Sequence, residues 1–120
     1  METLNTLFWK NLELLADGST LVVDRPQGSV HPRHPECIYP HDYGYLEEIL
    51  SSDGAGLDVW LGSLTDRRLT GILCTVDMLK RDVEIKLLLG CTPAEMDEIC
   101  RHQNQGFMSA VLLPRPVELE

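Results

Sequence analysis

The sequence predicts an α+β fold that is mainly β: a small barrel of about five short strands, with one helix before it and one after it. Three observations lead there. Short segments rich in β-branched and aromatic residues outnumber helical segments, tight turns separate them, and all of them fit within 120 residues. With 43% hydrophobic residues at that length, the chain can build one core and no more. We therefore expect residues 1–120 to form a single domain.

The first half of the chain starts with a helix and continues with strands. Residues 3–15 carry leucines and Phe8 at helical spacing. Asp17-Gly18 then provides a turn, and Leu21-Val22-Val23 has the composition of a strand. Residues 26–40 contain four prolines, so we expect an irregular, extended loop. Further strands are predicted over residues 43–50 and 57–61.

The second half adds strands and a closing helix. Asp66-Arg67-Arg68 is predicted to form a hairpin turn that leads into a strand over residues 69–76. Thr92 followed by Pro93 and Glu95 is a strong helix start, because it offers a cap, a proline at the first position and a glutamate at the third. That helix should continue to about Asn104, and a last strand is expected over residues 107–113.

Between these elements, a strand over residues 83–87 alternates apolar and polar side chains. Strand side chains repeat every two residues, so Val83, Ile85 and Leu87 should pack in the core. Glu84 and Lys86 should then share the other face with Asp82, which precedes them. This alternation predicts a half-buried strand with one polar face.

Charge and composition exclude several classes of function. The net charge of −9 disfavours nucleic acid as a partner, since binding to a phosphate backbone depends on clustered Lys and Arg. The longest apolar runs are far shorter than the roughly 20 residues of a membrane-spanning helix, and the first residues do not resemble a secretory signal. The four cysteines form no Cys-x-x-Cys pair, which favours free thiols in a reducing compartment. We expect a cytoplasmic protein without membrane association.

Two acidic turns with the same spacing are the first candidate site. Asp53 and Asp58 are separated by four residues, and so are Asp77 and Asp82. Taken alone, an Asp-Gly pair such as Asp53-Gly54 usually marks a turn. If a sheet brings the two turns together, however, their four carboxylates provide the oxygen ligands that magnesium prefers, and four carboxylates suffice for two ions.

A tyrosine-rich segment, Tyr39-Pro-His-Asp-Tyr-Gly-Tyr45, lies just before the first acidic turn. Tyrosine hydroxyls and the guanidinium of Arg25 can hold the oxygens of a phosphate. The other interpretation is that the tyrosines are ordinary core aromatics, and for Tyr45 it is the preferred one. An acidic protein can bind pyrophosphate when divalent cations lie between the two sets of negative charge.

The order of these motifs resembles the soluble (family I) inorganic pyrophosphatases over roughly residues 21–90. Val23-Asp-Arg25 is similar to the Val-Asp-Arg of that family, and Ile38-Tyr-Pro-His-Asp-Tyr-Gly-Tyr45 to its Phe-Tyr-Pro-x-Asn-Tyr-Gly-Tyr. Asp53-Gly-Ala-Gly-Leu-Asp-Val59 resembles its Asp-Gly-Asp-Pro-x-Asp-Val. Gly71-Ile-Leu73, with Asp77 and Asp82 beyond it, resembles the strand and turn that carry its last two metal-binding aspartates.

The resemblance implies a fold, a reaction and a set of site residues. The family's fold is a small five-stranded, OB-like barrel with helices packed outside, and its reaction is the attack of a metal-bound hydroxide on pyrophosphate. The implied cofactor is Mg²⁺, with Mn²⁺ as the alternative. The implied metal ligands are Asp53, Asp58, Asp77 and Asp82. The resemblance assigns phosphate contacts to Arg25, Tyr39 and Tyr43, with catalytic roles for Arg25 and Tyr43. The strand alternation, not the resemblance, adds Lys86 as a further substrate contact and Glu84 as the catalytic base. Self-association is also expected.

The chain departs from the family at several of these positions. Ala55 replaces the middle aspartate, Glu84 stands where a lysine is expected, and Gln103-Asn104 replaces a Tyr-Lys pair. Extra residues that include His31-Pro-Arg-His34 separate Arg25 from Tyr39. These extra residues either return positive charge to the site or form a surface loop. A zinc site built from His31, His34, Cys37 and His41 is a further alternative, but their spacing fits no common zinc site. The alternative function is therefore a catalytically silent relative that binds metal and a phosphorylated ligand, or an interaction module.

Overall fold

A computed structural model of the protein describes residues 3–50, 54 and 56–117. These residues form two helices and eight strands. In chain order the elements are α1 (Leu4–Asp17), β1 (Leu21–Arg25), β2 (Val30–His31), β3 (His34–Ile38), β4 (Asp42–Leu50), β5 (Gly56–Leu61), β6 (Leu69–Asp77), β7 (Asp82–Leu89), α2 (Pro93–His102) and β8 (Met108–Pro114). The predicted class, α+β and mainly β, is confirmed.

Six strands form one open sheet in the order β1-β4-β5-β7-β6-β8. Neighbouring strands are antiparallel except for β5 and β7, which are parallel. The two ends of this order, β1 and β8, are not paired with each other. The predicted closed barrel is therefore not observed in the described part of the chain.

Two predicted connections are different in the structure. The segment predicted to be irregular contains a short hairpin of β2 and β3, in which Val30 faces Ile38 and His31 faces His34. A two-stranded ribbon tolerates Pro35 because its outer edge needs no donor. The predicted hairpin turn at Asp66-Arg67-Arg68 is wrong, because β7 lies between β5 and β6 and residues 62–68 form a crossover connection.

Each face of the sheet packs against one helix. On one face, α1 inserts Trp9 and Ala16 into a cluster with side chains of β4 to β7. On the other face, α2 inserts Met96 and Ile99 beside Trp60. The capping box predicted at Thr92 and Glu95 is confirmed, with both of its hydrogen bonds present. The site described below lies on the α2 face.

The alternation predicted for β7 is present, but the assignment of its apolar face is partly wrong. Leu87 is fully buried as predicted, whereas Val83 and Ile85 are 65% and 46% exposed. Lys86 is instead buried, and the polar side chains of β7 line a cavity. Near the β6–β7 turn, the polar face of β7 is thus the enclosed one.

Candidate functional site

An open cavity of about 1250 Å³ lies on the α2 face of the sheet. It extends from the β2–β3 hairpin across strands β4 to β7 to the end of α2. Of the residues that the sequence assigned to the site, eight line this cavity: Arg25, Tyr39, Tyr43, Asp58, Asp77, Asp82, Glu84 and Lys86. The remaining one, Asp53, lies outside the described residues, as does Ala55.

Strand register explains how distant motifs meet at this cavity. Strand β4 lies between β1 and β5, so that Gly44 faces Val23 on one side and Tyr45 faces Asp58 on the other. A Cβ atom on Gly44 would lie 1.9 Å from the carbonyl oxygen of Val22. Glycine is therefore required between the two tyrosines, because any side chain there would push β1 away from β4.

The centre of the site is a chain of three polar groups. The Lys86 ammonium donates to the Tyr43 hydroxyl at 2.7 Å, and that hydroxyl donates to Oδ2 of Asp58 at 2.6 Å. Lys86 Nζ also lies 3.4 Å from the same Asp58 oxygen and 3.7 Å from Oε2 of Glu84. Burial and the neighbouring Asp58 carboxylate raise the pKa of Tyr43 well above its usual value. Tyr43 therefore stays protonated and acts as a donor, not as a base.

A second cation lies beside Tyr39. The Arg25 guanidinium donates a hydrogen bond to the Tyr39 hydroxyl and lies 5.4 Å from the centre of the Tyr39 ring. Burial raises the pKa of Tyr39, although the Arg25 charge opposes that rise. Tyr39 itself packs on Trp60, as does Tyr43. Arg25 and Lys86 are thus each oriented by a tyrosine whose ring packs on Trp60.

Asp77 and Asp82 flank the β6–β7 turn and face each other in the strand register. Oδ1 of Asp77 accepts the backbone N–H groups of Leu79 and Lys80 at 2.9 and 3.0 Å. This carboxylate therefore shapes the turn, and both aspartates still line the cavity. The spacing of four residues is the length of one tight hairpin, which is why the two carboxylates end up side by side.

A bound cation was expected at these carboxylates. Among the residues that the structure describes, no group of three or more His, Cys, Asp or Glu side chains is close enough to hold a metal ion. Magnesium commonly uses only one or two protein carboxylates and completes its shell with waters and phosphate oxygens. The Asp77–Asp82 pair provides that number of oxygen ligands, so the donor chemistry fits an ion that enters together with a phosphate ligand.

The hairpin of β2 and β3 contributes residues that the motif comparison did not assign. His31, Arg33 and His34 line the cavity. Arg33 thus brings a positive charge to the site, which favours the charge-returning interpretation of this insert over a remote loop. The His31 ring stacks on Tyr39, with 6.3 Å between ring centres. Nδ1 of His31 accepts the Arg33 backbone N–H at 3.0 Å, which leaves Nε2 to carry a proton. Burial and nearby cations, Arg25 first among them, lower the pKa of His31.

The end of α2 lies next to this hairpin and also lines the cavity. His102 Nε2 lies 3.6 Å from Sγ of Cys37, and its ring packs against Tyr39 and Trp60. The sequence offered one signal for His102, its position in the last turn of a predicted helix, and that signal indicated only favourable charge at the helix end. All four cysteines are free thiols; Cys91 is buried, whereas the other three are partly exposed.

The other residues that the sequence singled out have structural roles. Asn104, in the position of the family's Tyr-Lys pair, exchanges two hydrogen bonds with the backbone of Ala110. His41 lies 2.6 Å from Glu98 of α2. His31, His34, Cys37 and His41, whose spacing fits no common zinc site, do not form a metal-binding group in the described part of the chain.

Comparisons with protein-family models and with curated proteins found no match to this chain. The resemblance to pyrophosphatases accordingly rests on the motifs and stays a prediction. In the part of the chain that the structure describes, neither helix has the length and hydrophobicity needed to cross a membrane.

Proposed function

We propose that this protein binds pyrophosphate, or a related phosphoanhydride, in the cavity and hydrolyses it with the help of Mg²⁺ or Mn²⁺. The observation that carries the proposal is that two tyrosine-oriented cations, Arg25 and Lys86, line the same cavity as a set of carboxylates. Phosphoanhydrides need both kinds of group: cations for their oxygens, and carboxylates for the metal ions that accompany them.

Recognition of the phosphates would fall to Arg25 and Lys86. Arginine forms two parallel hydrogen bonds to phosphate oxygens, and lysine acts as a compact positive charge. The Lys86 side chain is only 7% exposed, so its charge is weakly screened by water and acts strongly at short range. Tyr39 and Tyr43 hold the two cations in position before the ligand arrives, which reduces the entropy lost on binding.

Asp77 and Asp82 are the residues that would hold the divalent ion, and the motif adds Asp53 as a further ligand. When bound, such an ion lowers the pKa of a coordinated water and neutralises phosphate charge. Asp58 is less suited to this task than the motif implied, because its Oδ2 already accepts hydrogen bonds from Tyr43 and Lys86.

Glu84 is the proposed general base. It lines the cavity next to Lys86, and a carboxylate there can accept a proton from the attacking water. The water oxygen bonds to one phosphorus as the bond from that phosphorus to the bridging oxygen breaks, and the leaving phosphate keeps the electron pair. Lys86 and Arg25 stabilise the negative charge that accumulates on the phosphate oxygens in this step.

One observation favours a second candidate, the binding of a phosphorylated ligand without hydrolysis. The Lys86 ammonium lies between the carboxylates of Asp58 and Glu84. A metal-dependent hydrolase would be expected to keep such carboxylates available for binding metal ions. A site whose cation is built into the chain can bind an oxyanion while lacking a metal-activated water.

Phosphate release from pyrophosphate, measured with Mg²⁺, with Mn²⁺ and with a chelator, separates the two candidates. Glu84→Gln should lower turnover by about 10²–10⁴-fold, as expected for loss of a positioned base. Ala55→Asp, which restores the family's middle aspartate, should raise it. Calorimetric titration with imidodiphosphate, a slowly hydrolysed analogue, should show weaker binding for Arg25→Gln and for Lys86→Met.

Arg68→Gln is the matched control for the cationic positions. Arg68 is an exposed residue between β5 and β6, and it lies outside the cavity. Binding with metal-dependent phosphate release supports the hydrolase, and binding without release supports the second candidate. Failure of the wild type to bind the analogue under any metal condition would refute both.

We also propose a cytoplasmic location, for which the four free thiols provide the support.

A further inference from the structure

Helix α1 covers only part of its face of the sheet. The part that it leaves uncovered is apolar and exposed. Five side chains of β6, β7 and β8 form this surface, which we call the sheet patch. They are Val76 (40% exposed), Val83 (65%), Ile85 (46%), Val111 (61%) and Leu113 (47%). Val76 and Val83 are register partners, and Cys74 lies between Ile85 and Val111 in the register. The five side chains are therefore neighbours on adjacent strands.

Helix α1 has a second apolar surface of its own, which we call the helix stripe. Trp9 and Ala16 turn inward to the core, whereas a second set of apolar side chains is exposed. Its members are Leu4, Leu7, Phe8, Leu14 and Leu15. A helix that is apolar on its outer as well as its inner side is normally buried on both sides. The outer side of α1 therefore lacks a covering partner among the described residues.

Each of these two surfaces is about as large as the largest apolar patch of a typical monomer, which is about 300–600 Å² and is often functional. Together the exposed fractions of the ten side chains correspond to an area on the order of 1,000 Å². A standard interface needs about 800 Å² from each partner. The available area is thus sufficient for a specific complex.

Charge narrows the choice of partner. The protein carries a net charge of −9, which disfavours approach to an anionic membrane surface. The strand positions that share a face with the sheet patch add only Ile72, Cys74, Leu87 and Ser109, so no like charges would be forced together there. The sheet patch can therefore be buried by a second copy of the same chain without bringing charges together at its centre. The mutual repulsion of two chains of net charge −9 acts at longer range and is screened by salt.

We propose that two copies of this chain associate through this face, with the helix stripe of each copy on the sheet patch of the other. Within one chain, α1 already packs on the same face of the sheet, beside Ile72 and Leu87. The uncovered half of that face offers the same kind of apolar surface to the α1 of a second copy. Two helix-on-sheet contacts related by a two-fold axis form a closed, self-complementary dimer.

One alternative route to a dimer, strand addition at the β8 edge of the sheet, is blocked by the chain itself. β8 is an edge strand, and the middle of its outer edge is occupied by the Asn104 side chain. Asn104 accepts from the Ala110 N–H at 2.9 Å and donates to the Ala110 carbonyl at 3.0 Å. Pro114 ends the strand without a donor. Protected edges of this kind prevent pairing between sheets.

The test is the molar mass of the full chain in solution, measured by light scattering during gel filtration from about 1 to 100 µM. We expect twice the 13.5 kDa of the monomer. Ile85→Glu in the sheet patch and Phe8→Glu in the helix stripe should each weaken association by about 30-fold or more, as for a residue at the centre of an interface. Val30→Glu is the matched control, since Val30 is 52% exposed but lies on the β2–β3 hairpin.

Circular dichroism first establishes that each variant is folded, and Val83→Glu, at a still more exposed position, replaces any variant that is not. A dimer that dissociates with both substitutions and persists in Val30→Glu supports the proposal. A monomeric wild type, or a dimer that survives either Ile85→Glu or Phe8→Glu, overturns it. The measurement does not depend on ligand or activity, so its outcome is independent of the proposed function.

Discussion

Removal of one oxygen atom, by Tyr43→Phe, tests the central polar chain of the site. In the wild type the Tyr43 hydroxyl receives a hydrogen bond from the Lys86 ammonium at 2.7 Å and donates one to Asp58 at 2.6 Å. Phenylalanine keeps the ring and its packing on Trp60 but removes both hydrogen bonds. The substitution thus isolates the polar contribution of a nearly buried group.

The expected loss of stability follows from these contacts. A hydrogen bond to a charged group contributes about 1.5–3 kcal/mol, and two are removed. The direct contact of Lys86 with Asp58 at 3.4 Å remains, and the Asp58 side chain is 31% exposed, so water can replace part of the loss. We therefore expect the free energy of unfolding to fall by about 2–3 kcal/mol, which for a domain of this size lowers the melting temperature by about 8–12 °C.

Urea unfolding followed by circular dichroism measures this change, with the slope of the transition unchanged. Tyr45→Phe is the matched control: Tyr45 lies two residues along the same strand, and no hydrogen bond found in the described part of the chain uses its hydroxyl. Its free energy of unfolding should change by less than about 0.5 kcal/mol. Equal effects of the two substitutions would show that the polar chain through Tyr43 does not stabilise the fold.

Three further predictions concern backbone packing, alkaline pH and metal. Gly44→Ala should cost about 3 kcal/mol or more in urea unfolding, because the new Cβ lies 1.9 Å from a backbone oxygen, whereas Gly18→Ala, with its nearest atom at 3.5 Å, should change little. Burial raises the pKa of Cys91 to about 12, so the stabilisation that this thiol provides should be complete below about pH 9 and disappear between about pH 9 and 12. Cys91→Ala should flatten that part of the pH profile of unfolding free energy. Mg²⁺ with imidodiphosphate should stabilise the protein by about 2.7 kcal/mol at a hundredfold excess over the dissociation constant, and Asp82→Asn should abolish most of the resulting rise in melting temperature.

Much of the candidate site could be predicted because its motifs lie on neighbouring strands. Arg25 and the tyrosines are on β1 and β4 or next to them, and Asp58 is on β5, which pairs with β4. A short-range pattern and two antiparallel registers, of β4 with β1 and with β5, are enough to bring these residues together. His31 and His102 could not be found in this way, since they reach the cavity through a proline-rich hairpin and a helix end that no sequence periodicity connects.

The order of the strands could not be predicted for a related reason. Local sequence suggests a hairpin wherever a turn separates two strands, and Asp66-Arg67-Arg68 has the composition of such a turn. The observed parallel pairing of β5 with β7 joins segments that are distant in sequence, and it depends on which apolar faces the two helices cover. Each face of the sheet packs apolar side chains against a helix. A two-residue alternation therefore does not determine which side chains of a strand are buried.

Strand β7 illustrates this point and has a consequence for the site. Its alternation separates Glu84 and Lys86 from Val83 and Ile85 correctly, yet the polar face is the enclosed one. An enclosed ammonium needs nearby carboxylates, and Lys86 has Asp58 at 3.4 Å and Glu84 at 3.7 Å. The positive charge of Lys86 offsets part of the negative charge of Asp58 and Glu84. The Asp77–Asp82 pair at the β6–β7 turn is therefore the pair of carboxylates best able to bind an added ion. Dependence on a divalent cation should therefore originate at the turn, and recognition of the phosphate at the buried lysine.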